Sequence, residues 1–422
     1  MELTRAQIDA ATAALAVILR LDRPADAALS AWFRANPLLG ARDRGFIADT
    51  VFAVLRHLRR LEQLAGSREP RKLILCALVS VFGRNVRALQ SHLRSEEPAW
   101  LAEVKQQEAT LPEAVRLSLP DWLYERLTAA YGTEETSRIA LALLDPAPLD
   151  LRVNALLAKR DEVIITLRAS GLEAAATPIS PMGIRLRGKP SLERHSLLKS
   201  GFIEVQDEGS QIVAMLAEPR RGQMIVDFCA GAGGKTLAMG ALMRSEGRLY
   251  AFDTSERRLA NLKPRLKRSG LSNVHPQRID SETDNRVKRL AGKIDTVLVD
   301  APCSGTGTLR RNPDLKWRMG PQALEELAAK QLSILRSAAR LAKPGGRLVY
   351  ATCSLLPEEN EAVLEAFLAA VPGWRMADMG EILTRLGLSL EHSRGTLRLL
   401  PSQQGCDGFF AAALVRESGG PA

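Results

Sequence analysis

Two cysteines stand where a thiol could act on a ligand. In "VLVDAPCSGTGTLRRNPDLKWR" (Val297 to Arg318) a short apolar run ends in Asp300 and is followed at once by Ala-Pro-Cys303. In "GGRLVYATCSLLPEENE" a second apolar run ends in Thr352-Cys353-Ser354. A thiolate is a strong nucleophile even when little of the thiol is ionised. Pyrimidine carbon 5 is a poor nucleophile towards a methyl donor. A thiolate added at carbon 6 turns the ring into an enamine-like species whose carbon 5 can attack a sulfonium methyl. An acid near ring nitrogen 3, such as Asp300, would stabilise the developing charge. The adduct must then lose its carbon 5 proton and eject the cysteine, a step in which a second cysteine can help. The residues alone leave open which of Cys303 and Cys353 attacks. Cys76, on an apolar helix, reads as a core thiol, as do Cys229 and Cys406 taken singly.

A second chemical signal is "VDFCAGAGGKT", Val226 to Thr236. It resembles two phosphate-binding loops and matches neither. A triphosphate loop, G-x-x-x-x-G-K-[ST], needs glycine where Cys229 stands. The dinucleotide fingerprint fits Gly231 and Gly233 but needs glycine in place of Thr236. What remains is a strand ending in Asp227 and a glycine turn that lets a ligand approach the backbone before a helix begins. The next strand ends in Asp253, in "YAFDTS", where an acid can accept hydrogen bonds from ribose hydroxyls. Asp280, in "QRID", lies past a presumed third strand, where an adenine would sit. An adenosine with a charged tail suits this arrangement without a triphosphate cradle, and S-adenosylmethionine is such a ligand.

These residues need a scaffold that delivers them to one rim. From Phe202 onward, apolar strands at Met224–Phe228, Arg248–Asp253, Asp295–Asp300 and Arg347–Thr352 alternate with helices starting near Lys235, Glu256 and Gln322. That rhythm predicts an α/β fold with a doubly wound, mostly parallel sheet, whose ligands bind at the carboxyl ends of the strands. Upstream, "RAQIDAATAALAVILRL", "DRGFIADTVFAVLRHLRRLEQL" and "RKLILCALVSVF" carry apolar residues at helical spacing and predict an all-α domain. Arg42, Arg44, Arg56, Arg59 and Arg60 lie on or beside its second helix, as a solvated face or an RNA-facing one. Ser91 to Pro112 reads as a linker, followed by amphipathic stretches at Asp121–Tyr131 and Glu134–Leu144. The segment after "DPAP" reads as strand, helix, strand, strand. The expected division is 1–110, all-α; 111–200, linker helices and a small α+β module; and 201–418, catalytic, with "ESGGPA" as a frayed tail.

At 422 residues the chain is too long for one compact domain, and 46% hydrophobic residues suffice for a real core. A net charge of +10 favours polyanionic partners. Widely spaced cysteines without a CxxC pair argue against a zinc site and a disulfide scaffold and for a reducing, cytoplasmic setting. The amino-terminal pattern is unlike a secretory leader, and no apolar run is long enough to span a bilayer. The five histidines show no ligand spacing.

Taken together, "VDFCAGAGGKT", "AFDTS", "DAPCSGTGTLRRNPDLKW", "KPGGRLVYATCS", "PEENE" and "DGFFAA" resemble the Sun/Fmu-type (RsmB-like) RNA cytosine-5 methyltransferases, related to the nucleolar Nop proteins. The resemblance runs from about Leu149 to the C-terminus and implies a Rossmann-like S-adenosylmethionine-dependent methyltransferase domain. It further implies that Cys353 is the attacking nucleophile and that Cys303 assists product release. The loop Cys229, Ala230, Gly231, Ala232, Gly233, Gly234 and Lys235, with Asp253, Asp280 and Asp300, would contact cofactor or target base. Gly231-Ala232 replaces the family's usual Ala-Pro, which makes the turn more flexible. "DRGFIADTVFAVLRHLRRLE" resembles the NusB-type RNA-binding domain of members acting on small-subunit ribosomal RNA, and Leu149 to about Arg187 fits the family's small RNA-binding module. Arg310, Arg311, Lys316 and Trp317 would grip RNA phosphates beside a flipped base, whereas "PEENE" reads mainly as a helix start. The resemblance thus implies a cytoplasmic, monomeric enzyme acting on 16S ribosomal RNA or a partly assembled subunit, with neither metal nor membrane. Transfer RNA as substrate, or a non-catalytic ribosome assembly factor, are the rival readings.

Overall fold

The computed structural model describes residues 3–107 and 111–419, and the last three residues of the expected tail lie outside them. The chain divides into two compact units, residues 1–146 with 308–321, and residues 147–307 with 322–422.

The first unit is all helical. Its helices include Arg5–Ile18, Ala25–Ala35, Ala41–Arg56, Leu58–Ala65, Pro70–Ser80 and Asp121–Leu144. Thr4 starts the first with a capping box, its side chain accepting from Gln7 N while the Gln7 side chain accepts from Thr4 N. Ile8, Leu15, Val51, Leu55, Leu61, Ile74 and Leu78 fill the core. The stretch expected as one second helix is broken at His57, and the last helix bends at Gly132, whose φ of 77° no helix accommodates. The expected linker instead contains the helix Glu97–Gln107, which buries Leu101 and Val104. Glu97 there receives two hydrogen bonds from Arg71, Nε to Oε1 at 2.7 Å and Nη2 to Oε2 at 3.0 Å. Among the described residues, no helix is long and apolar enough to cross a membrane.

The second unit opens with a four-stranded antiparallel sheet ordered β2-β3-β1-β4: β1 (Leu149–Val153), β2 (Ala174–Ala176), β3 (Gly183–Leu186) and β4 (Ile203–Val205). Within this sheet, sequence patterning missed only β4, which pairs along β1. An eight-stranded sheet follows, with β5 (Met224–Asp227), β6 (Arg248–Asp253), β7 (Val274–Arg278), β8 (Ile294–Asp300) and β9 (Ala342–Thr352) parallel in the order β9-β8-β5-β6-β7. β10 (Trp374–Met376), β11 (Thr396–Leu399) and β12 (Phe409–Arg416) add an antiparallel edge, β12 lying along β9. Apolar residues alternate between the two faces. Val349 and Ala351 of β9 face helices Glu208–Leu216, Gly234–Leu242 and Met379–Leu386, whereas Leu348 and Tyr350 face Pro321–Ala339 and Glu361–Ala370. The sheet is therefore doubly wound, and its parallel strands end in Asp227, Asp253, Asp300 and Thr352 along one rim.

Candidate active site

The rim opens into a cavity of ≈ 430 Å³, within the range of small-molecule sites. Its lining includes Asp227, Cys229 to Ala232, Gly234, Lys235, Asp253, Asp300 and Cys353.

Local sequence explains the loop. Ala230 N donates to Phe252 O at 2.8 Å, tying the chain after β5 to β6. Gly231, with φ of 57°, donates its N–H to Asp253 Oδ2 at 2.8 Å. Gly233 has φ of 82°, and a Cβ there would lie 2.2 Å from Leu262 Cδ1, so only glycine fits. Gly233 also precedes the helix Gly234–Leu242, whose amino end faces the cavity.

Buried charge organises the floor. Lys235 Nζ lies 2.7 Å from Asp300 Oδ2 and 5.1 Å from the Phe409 ring centroid. Burial opposes the lysine's charge, but Asp300, then the nearby Cys353 and Asp227, outweigh it and raise its pKa. Asp227 Oδ2 accepts from Thr236 Oγ1 at 2.6 Å, while its buried Oδ1 has no partner among the described residues. Burial pushes Asp227 up to about 7. Burial, then the surrounding carboxylates of Asp227, Asp300 and Asp253, also drive Cys229 well above the thiol range, so it lines the wall as a neutral thiol.

The two cysteines converge. Cys303 Sγ and Cys353 Sγ lie 3.4 Å apart. Gly307 N donates to Cys353 O at 2.9 Å and Gly408 N to Gly307 O at 2.9 Å, while a Cβ on Gly307 would meet Gly408 O at 2.2 Å. The glycines of "SGTG" and "DGFF" thus allow the cysteine-bearing loops and the start of β12 to touch. The contact with Cys353, then burial, pushes the Cys303 thiol well above its ordinary range. Cys353 is the sulfur that lines the cavity, near the Lys235 ammonium.

Asp280 is not brought into the cavity: it is exposed and pairs with Arg278 at 3.2 Å. Its neighbours Ile279 and Glu282 line the cavity instead, Glu282 held by Lys330 Nζ at 2.7 Å. Gln206 and Ser210, missed in the sequence, also line it. Gln206 follows β4 directly, and its place at a strand end before a helix was the available signal.

The basic segment after Cys303 overturns another expectation. Arg310 and Lys316 are buried in the helical unit, and Trp317 is half-buried there. Lys316 Nζ donates to Arg56 O at 2.8 Å and Ser118 O at 2.7 Å, and Trp317 Nε1 to Leu55 O at 2.7 Å. Arg56, expected on an open face, is buried and donates from Nε and Nη2 to Arg310 O, both at 3.1 Å. Lys316 and Arg56 cap backbone carbonyls inside the fold and Arg310 is buried, so Lys316 and Arg310 are not phosphate grips.

The site fits an adenosine with a charged tail. Asp253 accepts one backbone N–H on each oxygen, from Gly231 and Ser255, and retains acceptor capacity for ribose hydroxyls. Phe228, Ile279, Ala301 and Ile334 supply apolar walls for a purine, and the unpartnered Asp227 oxygen suits an ammonium. A doubly wound sheet with this strand-end loop and these acids defines an S-adenosylmethionine-dependent methyltransferase.

Comparison with known proteins gives the family. Residues 214–415 match the family model described as 16S rRNA methyltransferase RsmB/F, and residues 119–193 match the RsmF/B-like ferredoxin-like domain. The chain is 38% identical over 300 residues to the probable ribosomal RNA small subunit methyltransferase B of Synechocystis sp., covering 71% of this chain and 67% of the relative. It is 32% identical over 411 residues to ribosomal RNA small subunit methyltransferase B of Pseudomonas syringae pv. tomato, covering 89% and 90%. The crystal structure of PH0851 superposes with a TM-score of 0.79 at 25% identity over 98% of this chain and 99% of that one. A methyltransferase homologue from Pyrococcus horikoshii gives 0.62 at 28% identity over 72% and 97%. The chain belongs to the 16S rRNA methyltransferase RsmB/F family, and its cofactor is S-adenosylmethionine.

Proposed function

We propose that the protein methylates carbon 5 of a cytosine in 16S ribosomal RNA through a covalent adduct to Cys353. The observation that carries this reading is the pair of sulfurs 3.4 Å apart at the cavity rim, with Cys353 lining the cavity near the Lys235 ammonium. S-adenosylmethionine, when bound, supplies an electrophilic methyl group. Asp253 would hold its ribose, Asp227 and the Cys229–Gly234 backbone its charged tail, and Ile279 and Ile334 its purine.

Cys353, on the cavity wall near the Lys235 ammonium, adds as its thiolate to carbon 6 of a base taken out of its stack. The Cys353–carbon 6 bond forms as the ring double bond shifts electron density to carbon 5. Asp300, oriented by Lys235, faces ring nitrogen 3. After methylation a base takes the carbon 5 proton, the electrons of that C–H bond restore the ring double bond, and the carbon 6–sulfur bond breaks, returning its electron pair to Cys353. Cys303 assists this release. The helical unit and the β1–β4 module supply RNA contacts by shape and backbone, in keeping with the net charge of +10.

Transfer of labelled methyl groups to 16S RNA and to transfer RNA, followed by nucleoside analysis, tests the reading. The expected product is 5-methylcytidine in 16S RNA. Label confined to transfer RNA, or placed on another atom, contradicts it.

A further inference from the structure

Glu359, in the middle of "PEENE", is not a surface acid at a helix start. It is fully buried. Its Oε1 accepts from Ser304 N at 2.8 Å and from Gln331 Nε2 at 2.9 Å. Its Oε2 accepts from Ser304 Oγ at 2.5 Å and from Ser354 Oγ. Ser304 follows Cys303 and Ser354 follows Cys353, so one carboxylate is tied to both cysteine loops. Gln331 Nε2 also donates to Pro302 O at 2.9 Å, fixing the residue before Cys303, and Tyr350 OH donates to Glu359 O at 2.6 Å, fixing the hub to β9. A buried carboxylate with this many donors is costly to disturb, because each orphaned partner would lose its compensation for desolvation.

We propose that Glu359 is the positioning residue that sets the separation and aim of Cys303 and Cys353. It reaches neither sulfur through its own hydrogen bonds; it acts through Ser304 and Ser354. Thr306 Oγ1 also touches both serine hydroxyls, Ser304 Oγ at 3.3 Å and Ser354 Oγ at 3.2 Å, and the two hydroxyls lie 3.1 Å apart; Glu359 adds the charge-bearing acceptor and the tie to Ser304 N. The role assigned to the pair rests on the adduct chemistry proposed above, whereas the geometric part stands without it.

The test separates the two. Diamide takes two electrons and two protons from a pair of neighbouring thiols and leaves a disulfide, so its rate of closing Cys303–Cys353 reads their geometry without RNA. Peptide mapping identifies the bond. In folded full-length Glu359→Ala, closure should slow about tenfold and methylation kcat fall by up to about 100-fold, with KM for RNA and affinity for S-adenosylmethionine held within about twofold. Glu359→Gln, which keeps the shape but only one acceptor oxygen, should lie between. Should Glu359→Ala not fold, Ser304→Ala and Ser354→Ala each remove one tie and should each slow closure. Wild-type closure rates in a folded Glu359→Ala, or in both serine variants, overturn the proposal. Slowed closure in a protein whose Cys353→Ala variant still methylates RNA would uphold the positioning role and refute the adduct chemistry instead.

Discussion

Cys303 and Cys353 are 50 positions apart in the chain, yet their sulfurs are 3.4 Å apart, brought together by the parallel pairing of β8 with β9. The register sets Asp300 opposite Ala351, so each cysteine leaves its strand just past the same level of the sheet. The proximity makes the two thiols inequivalent. The Cys353 contact raises the half-buried Cys303 thiol above its ordinary range.

Lys235 should control the reactivity of Cys353 and the state of Asp300 together. Lys235→Met leaves the partly exposed Asp300 without its ion-pair partner, a loss smaller than the about 3–5 kcal/mol of a fully buried pair. It also removes the cation nearest the Cys353 thiolate. Alkylation of Cys353 by iodoacetamide at fixed pH should slow in the variant. An unchanged rate would mean that the ammonium does not act on this sulfur.

Gly233→Ala should separate cofactor binding from the rest of the fold. The left-handed backbone and the clash with Leu262 together cost about 2–4 kcal/mol, concentrated at the loop that precedes helix Gly234–Leu242. Calorimetric titration should show S-adenosylmethionine binding weakened by at least about 30-fold, with the Tm lowered. Gly231→Ala is the control for backbone strain without crowding, since a Cβ there meets nothing within 4 Å. Equal effects in the two variants would contradict the packing argument.

Lys316 gives the helical unit a pH signature. Burial, reinforced by the charge of Arg56, lowers it from 10.5 to about 7. The folded state then binds fewer protons than the unfolded chain between those values. Stability should rise with pH from about 7 towards 10.5 and be reduced below it, with a slope approaching about 1.4 kcal/mol per pH unit from this group. Denaturant unfolding at pH 6, 7.5 and 9 should show that slope in the wild type and a flatter one in Lys316→Met. The same slope in both would assign the pH dependence to other groups.

What was readable in the sequence follows from physical locality. An apolar run ending in an acid, then glycine, marks a buried parallel strand and its rim, and this located β5, β6, β8 and β9 together with Asp227, Asp253, Asp300 and both cysteines. β12 escaped because "FFAAALV" is apolar throughout and carries no period to distinguish strand from helix. Asp280 was misplaced because a single position after β7 decides whether a side chain faces the cavity, where Ile279 lies, or solvent. Lys316, Arg310 and Arg56 misled because a basic run looks like a surface. Only the fold reveals that Lys316 donates to the carbonyls of Arg56 and Ser118, and Arg56 to that of Arg310. Glu359 failed for the opposite reason: acids before a helix suit its dipole, and nothing local announces that Ser304, 55 positions earlier, will be waiting for a carboxylate.

The proposed chemistry turns on which sulfur bonds to the base. Wild-type, Cys353→Ala and Cys303→Ala proteins, each incubated with labelled 16S RNA and S-adenosylmethionine and run on a denaturing gel, decide it. Cys303→Ala should retain RNA as a denaturant-resistant adduct that maps to Cys353, while Cys353→Ala should show neither adduct nor methyl transfer. Active Cys353→Ala beside an inactive, adduct-free Cys303→Ala would reverse the roles and contradict the account.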